Sequence, residues 1–156
     1  MTKVLDLYNR ASAIPIIGTR AFSFAFARRA PYFATIRPRF TVLEPNHAEL
    51  VIRNRRGVRN HIGTVHAIAL CNGLEAAMGA LAEVSIPVDK RWIPKGMEVS
   101  YIARADSDIL CIAETDPAQW SDGDTDVAVR VRGVRADGDI VIEGRIRLWV
   151  TAKPLR

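Results

Sequence analysis

The sequence predicts an α+β fold in which one long helix lies against an antiparallel sheet. Three observations predict it: a single long apolar helical stretch in mid-chain, alternating strand patterns before and after that stretch, and a length of 156 residues, which suits one core. We therefore expect one domain over residues 1–156, with an N-terminal helical segment over 1–32 and the main body over 33–156.

The first thirty residues are predicted to form two helices. They break near Pro15 and Gly18 and end before the next proline, because proline lacks the amide that a helix interior needs. The basic aromatic segment 21–29 could lie on a bilayer surface. We favour the alternative that Phe22 and Phe26, one helical turn apart, pack on the same domain.

A strand pair and the long helix come next. Strands are predicted over residues 33–43 and 48–53, joined by a turn at Pro45-Asn46. The helix is predicted over Thr64 to Val84, and its apolar stripe consists of Ala67, Leu70, Cys71, Leu74, Ala77, Met78 and Leu81. The opposite face is mostly Ala and Gly, so sheet edges, the N-terminal helices or a partner subunit should cover it.

Beyond Pro87 the hydrophobic pattern alternates with period two. It predicts four antiparallel strands, at residues 92–104, 108–115, 125–134 and 139–151. Asp122-Gly123 and Asp137-Gly138 are typical of turns between strands. After the N-terminal helices, the predicted order along the chain is therefore two strands, one long helix and four strands.

The charge favours an anionic partner. Lys and Arg number 22 against 17 Asp and Glu, which gives a formal net charge of +5. The basic residues are scattered along the chain without a cluster or recognition motif, so we expect no nucleic-acid partner. A small molecule that carries phosphates suits the same charge.

The composition also limits location and cofactors. No run of roughly eighteen apolar residues occurs, so we expect no membrane span. Asp6 and Arg10 interrupt the N-terminus, which argues against a signal peptide and favours a cytoplasmic location. Cys71 and Cys111 lie in apolar runs, as buried thiols of a reducing compartment do. The 3 histidines have no clustered cysteine or carboxylate, so we expect no metal and no cofactor.

A signature occupies residues 60–79, which run N-H-I-G-T-V-H-A-I-A-L-C-N-G-L-E-A-A-M-G. It resembles the signature of hotdog-fold acyl-CoA thioesterases: an asparagine, a Gly-Thr-x-His that enters a helix, and a carboxylate nine residues after that histidine. Here His66 and Glu75 hold the last two positions. Residues 93–105, I-P-K-G-M-E-V-S-Y-I-A-R-A, are similar to a hotdog branch known mainly as a domain of unknown function and related to phenylacetate-pathway thioesterases.

The resemblance implies the hotdog fold, in which a long central helix is wrapped by a curved antiparallel sheet. The N-terminal helices would be an addition to that fold. It also implies a homo-oligomer, either a dimer or a tetramer, and an acyl-CoA or a related acyl thioester as the substrate.

The implied chemistry needs oxyanion donors and a carboxylate. Free amides at the helix start, near His66 and Ala67, supply such donors with the helix dipole behind them. Glu75 is the candidate base or nucleophile, and Asn60 would position water or the substrate carbonyl. Nine residues put Glu75 roughly 13 Å along the axis from His66 and on the opposite side of the helix. Two antiparallel helices of a dimer could bring both groups together.

Further residues are candidates for substrate binding: His61, Gly63, Thr64, Arg55, Arg56 and Arg91, of which the arginines would contact phosphates. Each candidate also has a structural interpretation. Glu75 could be a solvated surface carboxylate, His66 a helix-start residue and His61 a loop residue. Asn60 and Gly63 could simply shape the loop before the helix, and the arginines could be solvated charges.

Two departures from the signature keep a second function open. Many members follow the histidine with two glycines, whereas Ala67 and Ile68 stand here, and Gly79 occupies a position where some members place a hydroxyl. These departures favour a non-catalytic acyl or acyl-CoA binding protein as the alternative. A hydratase or dehydratase would need a His-carboxylate pair, which one chain does not clearly offer.

Overall fold

A computed structural model describes residues 2–15, 17–120 and 125–154. Its helices are α1 (Lys3–Ser12), α2 (Gly18–Arg29) and α3 (Ala67–Ser85). Its strands are β1 (Arg39–Glu44), β2 (His47–Ile52), β3 (Lys90–Tyr101), β4 (Ile109–Glu114), β5 (Thr125–Arg135) and β6 (Ile140–Ala152). Short 3₁₀ turns cover Pro31–Thr35, Arg56–Val58 and Pro117–Trp120. The order of the helices and strands is the predicted one.

The six strands form one antiparallel sheet in the order β1-β2-β4-β5-β6-β3, and α3 packs against it. Leu74, Met78 and Leu81 are fully buried, as the apolar stripe predicts, whereas Ala67 and Cys71 are only half-buried. A long central helix wrapped by a curved sheet confirms the predicted α+β hotdog fold.

Gly73 lets α3 approach the sheet closely. A Cβ at this position would lie 2.3 Å from Ile52 Cδ1 on β2 and 2.8 Å from Cys111 Sγ on β4. Any side chain here would push the helix off the two strands or displace these groups. The spacing between helix and sheet is therefore set by a residue with no side chain.

Three predicted boundaries were wrong, and one of them is the end of β3, which lies at Tyr101 rather than at residue 104. The first strand begins at Arg39 rather than at residue 33, because Pro31 opens a 3₁₀ turn and Arg37 adopts a left-handed φ of 51° before Pro38. The long helix begins at Ala67 rather than at Thr64. The Val65 amide bonds the carbonyl of residue 105 at 2.8 Å instead of entering the helical pattern.

The N-terminal helices pack on the same core. The ring of Phe22 meets that of Phe40 at 5.5 Å, and Phe26 meets Phe40 at 4.9 Å. On α1 the Tyr8 hydroxyl donates to the Thr41 carbonyl at 2.9 Å. These contacts confirm the packing interpretation of the aromatic segment.

The predictions for the turns and for the two cysteines are confirmed in part. Gly138 has a φ of 95°, which confirms the turn at Asp137-Gly138, while the predicted turn at Asp122-Gly123 lies outside the described residues. Cys111 is buried, and burial raises the pKa of its thiol. Cys71 is half-buried rather than buried, because its thiol points to Tyr101.

Helix α3 is long and apolar enough to pass as a membrane-spanning segment by length and composition. However, 67% of its most apolar stretch of 18 residues is buried inside the protein. It is therefore the core helix of this fold.

Strand β3 forms one edge of the sheet. It pairs with β6 on one side, and no strand pairs with its other side among the described residues. Ile93 and Tyr101 on this strand are 54% and 53% exposed. An unpaired edge with exposed apolar side chains is typical of a surface that takes part in assembly.

Candidate active site

The loop before α3 is organised by Asn60. Its Oδ1 accepts hydrogen bonds from the amides of Ile62 and Thr64, both at 3.1 Å, and its Nδ2 donates to the Thr64 hydroxyl at 2.8 Å. Gly63 adopts a φ of 84°, which favours glycine. Asn60 and Gly63 therefore shape the loop, and the second Nδ2 hydrogen of Asn60 has no acceptor among the described residues.

His66 caps the N-terminus of α3. Its Nδ1 accepts from the Ile68 amide at 3.0 Å, which places the proton of the neutral ring on Nε2. The amides of Ala67 and Ala69 have no acceptor within the described part of the chain. The helix start therefore presents two free N–H donors, with the positive end of the helix dipole behind them.

A cavity of about 240 Å³ opens beside the helix start. Its lining includes Tyr32, Thr35, His66, Ile68 and Asn72. Polar and apolar residues both line this cavity, so it offers a small molecule hydrogen-bonding groups as well as apolar contacts.

Asn72 of α3 belongs to the site although its sequence position does not predict that role. This residue is 4% exposed, and its Nδ2 donates to the Tyr32 carbonyl at 3.3 Å and to the Thr35 hydroxyl at 3.1 Å. Its Oδ1 is buried without a partner among the described residues. The one signal in the sequence is an amide side chain in a helix with few polar residues, and such an amide, when buried, needs hydrogen-bond partners.

Glu75 lies about two turns along α3 from the first residue of the helix, Ala67, and is half-buried. One turn before it, Cys71 Sγ lies 3.2 Å from the Tyr101 hydroxyl, and this hydrogen bond, together with burial, raises the pKa of Tyr101 to about 12. One turn after it, a Cβ on Gly79 would lie 3.5 Å from the Trp92 ring. Both aromatic residues belong to β3, so Glu75 lies on the helix face that looks toward the free sheet edge.

The carboxylate of Glu75 has no hydrogen bond or ion pair among the described residues. The other carboxylate of α3, on Glu83, accepts a hydrogen bond from the Trp92 indole at 3.3 Å. Glu75 is thus the unengaged acidic group of the core helix.

The predicted residues fall into separate groups. Asn60, Gly63 and Thr64 meet in the loop, and His66 and Ala67 meet at the helix start, whereas Glu75 lies about 12 Å along the axis from Ala67. His61, Arg56 and Arg91 are exposed, and Arg55 lines a different, basic cavity. One protomer therefore does not bring the carboxylate to the free amides. Within the described residues, no group of three or more potential metal ligands occurs.

Comparisons with known proteins give the family. The model of the family described as a domain of unknown function, DUF4442, matches residues 18–150. The comparison with curated proteins finds no match. A structural-genomics protein of unstated activity is 37% identical, with a TM-score of 0.81 over 96% of this chain and 99% of that chain.

Two thioesterase-like structures from bacteria share the fold. A protein of unknown function from Pseudomonas aeruginosa, described as a probable thioesterase, is 22% identical, with a TM-score of 0.76 over 90% of this chain and 97% of that chain. A thioesterase family protein from Silicibacter pomeroyi is 19% identical, with a TM-score of 0.67 over 84% of this chain and 96% of that chain. The family match begins in α2 and ends in β6, so this chain belongs to the DUF4442 family, described as a domain of unknown function, and it has the hotdog fold.

Proposed function

We propose that this protein hydrolyses an acyl-CoA or a related acyl thioester at a site shared by two protomers. Glu75 of one protomer would activate water or attack the carbonyl, and the free amides at the α3 start of the other would hold the oxyanion. The observation that carries the proposal is the unengaged Glu75 carboxylate on a helix whose other acidic group is hydrogen-bonded.

The helix start supplies the electrophilic half of the mechanism. The amides of Ala67 and Ala69 have no acceptor in the part of the chain that the structure describes, and His66 accepts from the Ile68 amide alone. Developing negative charge on a thioester oxygen would gain two N–H donors and the helix dipole there. The remaining Nδ2 hydrogen of Asn60, on the adjoining loop, would help to orient water or the carbonyl.

The carboxylate supplies the other half. Glu75 is half-buried and has no ion pair within the described residues, so it remains available either to take a proton from water or to form an acyl intermediate. In the first route Glu75 takes a proton from water, the water oxygen bonds to the acyl carbon, the C–S bond breaks, and the leaving thiolate takes that proton from Glu75. In the second route a Glu75 oxygen bonds to the acyl carbon as the C–S bond breaks and the thiolate leaves, and water then hydrolyses the resulting anhydride and regenerates the carboxylate.

A homodimer, or a tetramer built from dimers, would join the two halves. Glu75 faces the β3 edge, which has no second paired strand among the described residues and exposes Ile93 and Tyr101. If two β3 edges met around a two-fold axis, the α3 helices would lie antiparallel, and each Glu75 would approach the helix start of its partner.

A thiol-release assay over a panel of acyl-CoA chain lengths tests the activity. The proposal expects turnover with at least one chain length, and this turnover should be absent when the purified protein is heat-denatured. No thiol release across the whole panel would contradict hydrolysis.

The second candidate is a protein that binds acyl-CoA without hydrolysing it. Two observations favour it: the side chain of Ile68 is 54% exposed at the helix start, and most of the hydrogen-bonding capacity of Asn60 is already used in the loop. Thermal stabilisation by acyl-CoA without any thiol release would identify the binder.

A further inference from the structure

Six arginines line one groove of about 740 Å³, here called the arginine groove. They are Arg20 and Arg28 of α2, Arg37 and Arg39 at the entry to β1, and Arg53 and Arg55 after β2. No acidic side chain lines the groove, and none of the six forms an ion pair within the described residues. Such a concentration of unpaired positive charge attracts anions and is relieved by binding one.

Arg55 forms the inner part of this groove. Its Nη2 donates to the Thr35 carbonyl at 2.6 Å, and its Nε is buried without an acceptor among the described residues. Burial, and then the charge of Arg37, lowers the pKa of Arg55. The positive charges of Arg55 and Arg37 therefore repel each other, and a negatively charged acceptor in the groove would relieve that repulsion.

Phe24 adds an aromatic surface. Its side chain lines the groove and is 65% exposed, and the Arg28 guanidinium lies 5.6 Å from the ring centroid. An exposed ring beside arginine planes is a stacking platform for a nucleobase. Phosphate donors and a stacking surface together match a nucleotide better than a simple anion.

The groove adjoins the cavity at the α3 start. Thr35 lines that cavity and accepts the hydrogen bond from Arg55, which lines the groove. Gly57 also lines the cavity, and a Cβ on it would lie 2.3 Å from Arg55 Nη1. A ligand whose phosphates occupy the groove could extend past Arg55 toward the free amides of the helix.

Resting on the proposed thioesterase function, we propose that the arginine groove binds the nucleotide end of coenzyme A, with its phosphates on the arginines and its base near Phe24. The volume lies within the roughly 300–1,000 Å³ of ligand pockets. The groove would thereby select CoA thioesters over thioesters that lack a nucleotide.

Calorimetric titration with adenosine 3′,5′-bisphosphate tests the groove without any catalysis. The double variant Arg20→Gln/Arg53→Gln removes two exposed arginines, one on α2 and one after β2. Binding should weaken by at least about tenfold, since contacts between charged groups are the strong hydrogen bonds. The matched control is Arg145→Gln on β6, three strands from β2 in the sheet, which should leave the affinity unchanged. Equal binding by the double variant and the native protein, or no binding by the native protein, would overturn the proposal.

Two further measurements distinguish the nucleotide site from the proposed thioesterase function and from a lipid-binding surface. The double variant should raise KM at least about tenfold for an acyl-CoA and leave hydrolysis of the matching acyl-N-acetylcysteamine unchanged, because only CoA carries the nucleotide. If neither thioester is hydrolysed, the proposed function fails, while the bisphosphate titration still decides the groove. The lipid alternative is tested by co-sedimentation with phosphatidylserine vesicles. If the native protein binds the vesicles, the double variant does not, and the native protein does not bind the bisphosphate, the arginines contact a lipid surface and the nucleotide site is refuted.

Discussion

Replacing Leu74 by alanine should destabilise the protein strongly. Leu74 is fully buried on the face of α3 that packs on the sheet. The cavity left by such a change costs about 2–5 kcal/mol, depending on how far the surroundings collapse. Collapse is restricted here, because Gly73 already brings the helix into contact with Ile52 and Cys111. We therefore expect a loss in the upper half of that range, against a total stability of ~5–15 kcal/mol.

Urea denaturation at a fixed protomer concentration measures this loss, and the fixed concentration removes the effect of assembly on the midpoint. For a chain of this size, the melting temperature should fall by about 2–4 °C per kcal/mol. The matched control is Ile68→Ala on the same helix, whose side chain is 54% exposed and which should change stability by about 0.5 kcal/mol or less. Leu74→Asp should abolish the cooperative melt, because an unpaired carboxylate would be buried. Equal effects of Leu74→Ala and Ile68→Ala would refute the assigned helix orientation.

Three further predictions concern assembly, the helix cap and pH. Light scattering at micromolar concentration should give at least twice the protomer mass of 17.3 kDa, and a monomer alone would contradict the shared site. His66→Ala should lower the free energy of unfolding by about 0.5–2 kcal/mol, with recovery in His66→Asn, which keeps a capping acceptor; equal stability of both variants would rule out the cap. The hydrogen bond from Arg132 lowers the pKa of Glu114, so the pair stabilises the fold above the ordinary glutamate pKa and loses that effect as pH falls through the lowered value. The small difference in melting temperature between the native protein and Arg132→Gln should thus be present at pH 7 and shrink below about pH 4; a difference that is independent of pH would contradict it.

Much of the fold was predictable because its signals are local. The apolar stripe through Leu74 and Met78 predicted the buried face of α3. The alternation of apolar and polar residues predicted all four strands after that helix. The turn Pro31–Thr35 was missed, since Phe33 and Thr35 have the composition of a strand. Their conformation is set instead by the preceding proline and by stacking of Phe33 on Phe26 at 6.0 Å.

The candidate site was less predictable because its contacts are between distant segments. Asn72 is buried through partners near residue 32, some forty positions earlier in the chain, which no helical wheel reveals. The arginine groove is assembled from α2, the approach to β1 and the end of β2, so its arginines look scattered in the sequence. Asn60 matched the signature, and the structure adds its hydrogen bonds within the loop.

The role of Glu75 is tested most directly by Glu75→Gln. Glutamine keeps the volume and hydrogen-bonding reach of the side chain but removes the negative charge, so it can neither take a proton from water nor attack the carbonyl. Thioester hydrolysis should fall by at least ~100-fold, the low end of what a general base contributes, while the melting temperature and mass stay unchanged. Glu83→Gln, on the same helix, is the matched control and keeps an acceptor for the Trp92 indole.

The decisive measurement is the initial rate of thiol release from the best acyl-CoA by native protein, Glu75→Gln and Glu83→Gln at equal protomer concentration. We predict near-native turnover for Glu83→Gln and a loss of at least ~100-fold for a folded, oligomeric Glu75→Gln. Native turnover by a well-folded Glu75→Gln would contradict the catalytic carboxylate and remove Glu75 from the mechanism.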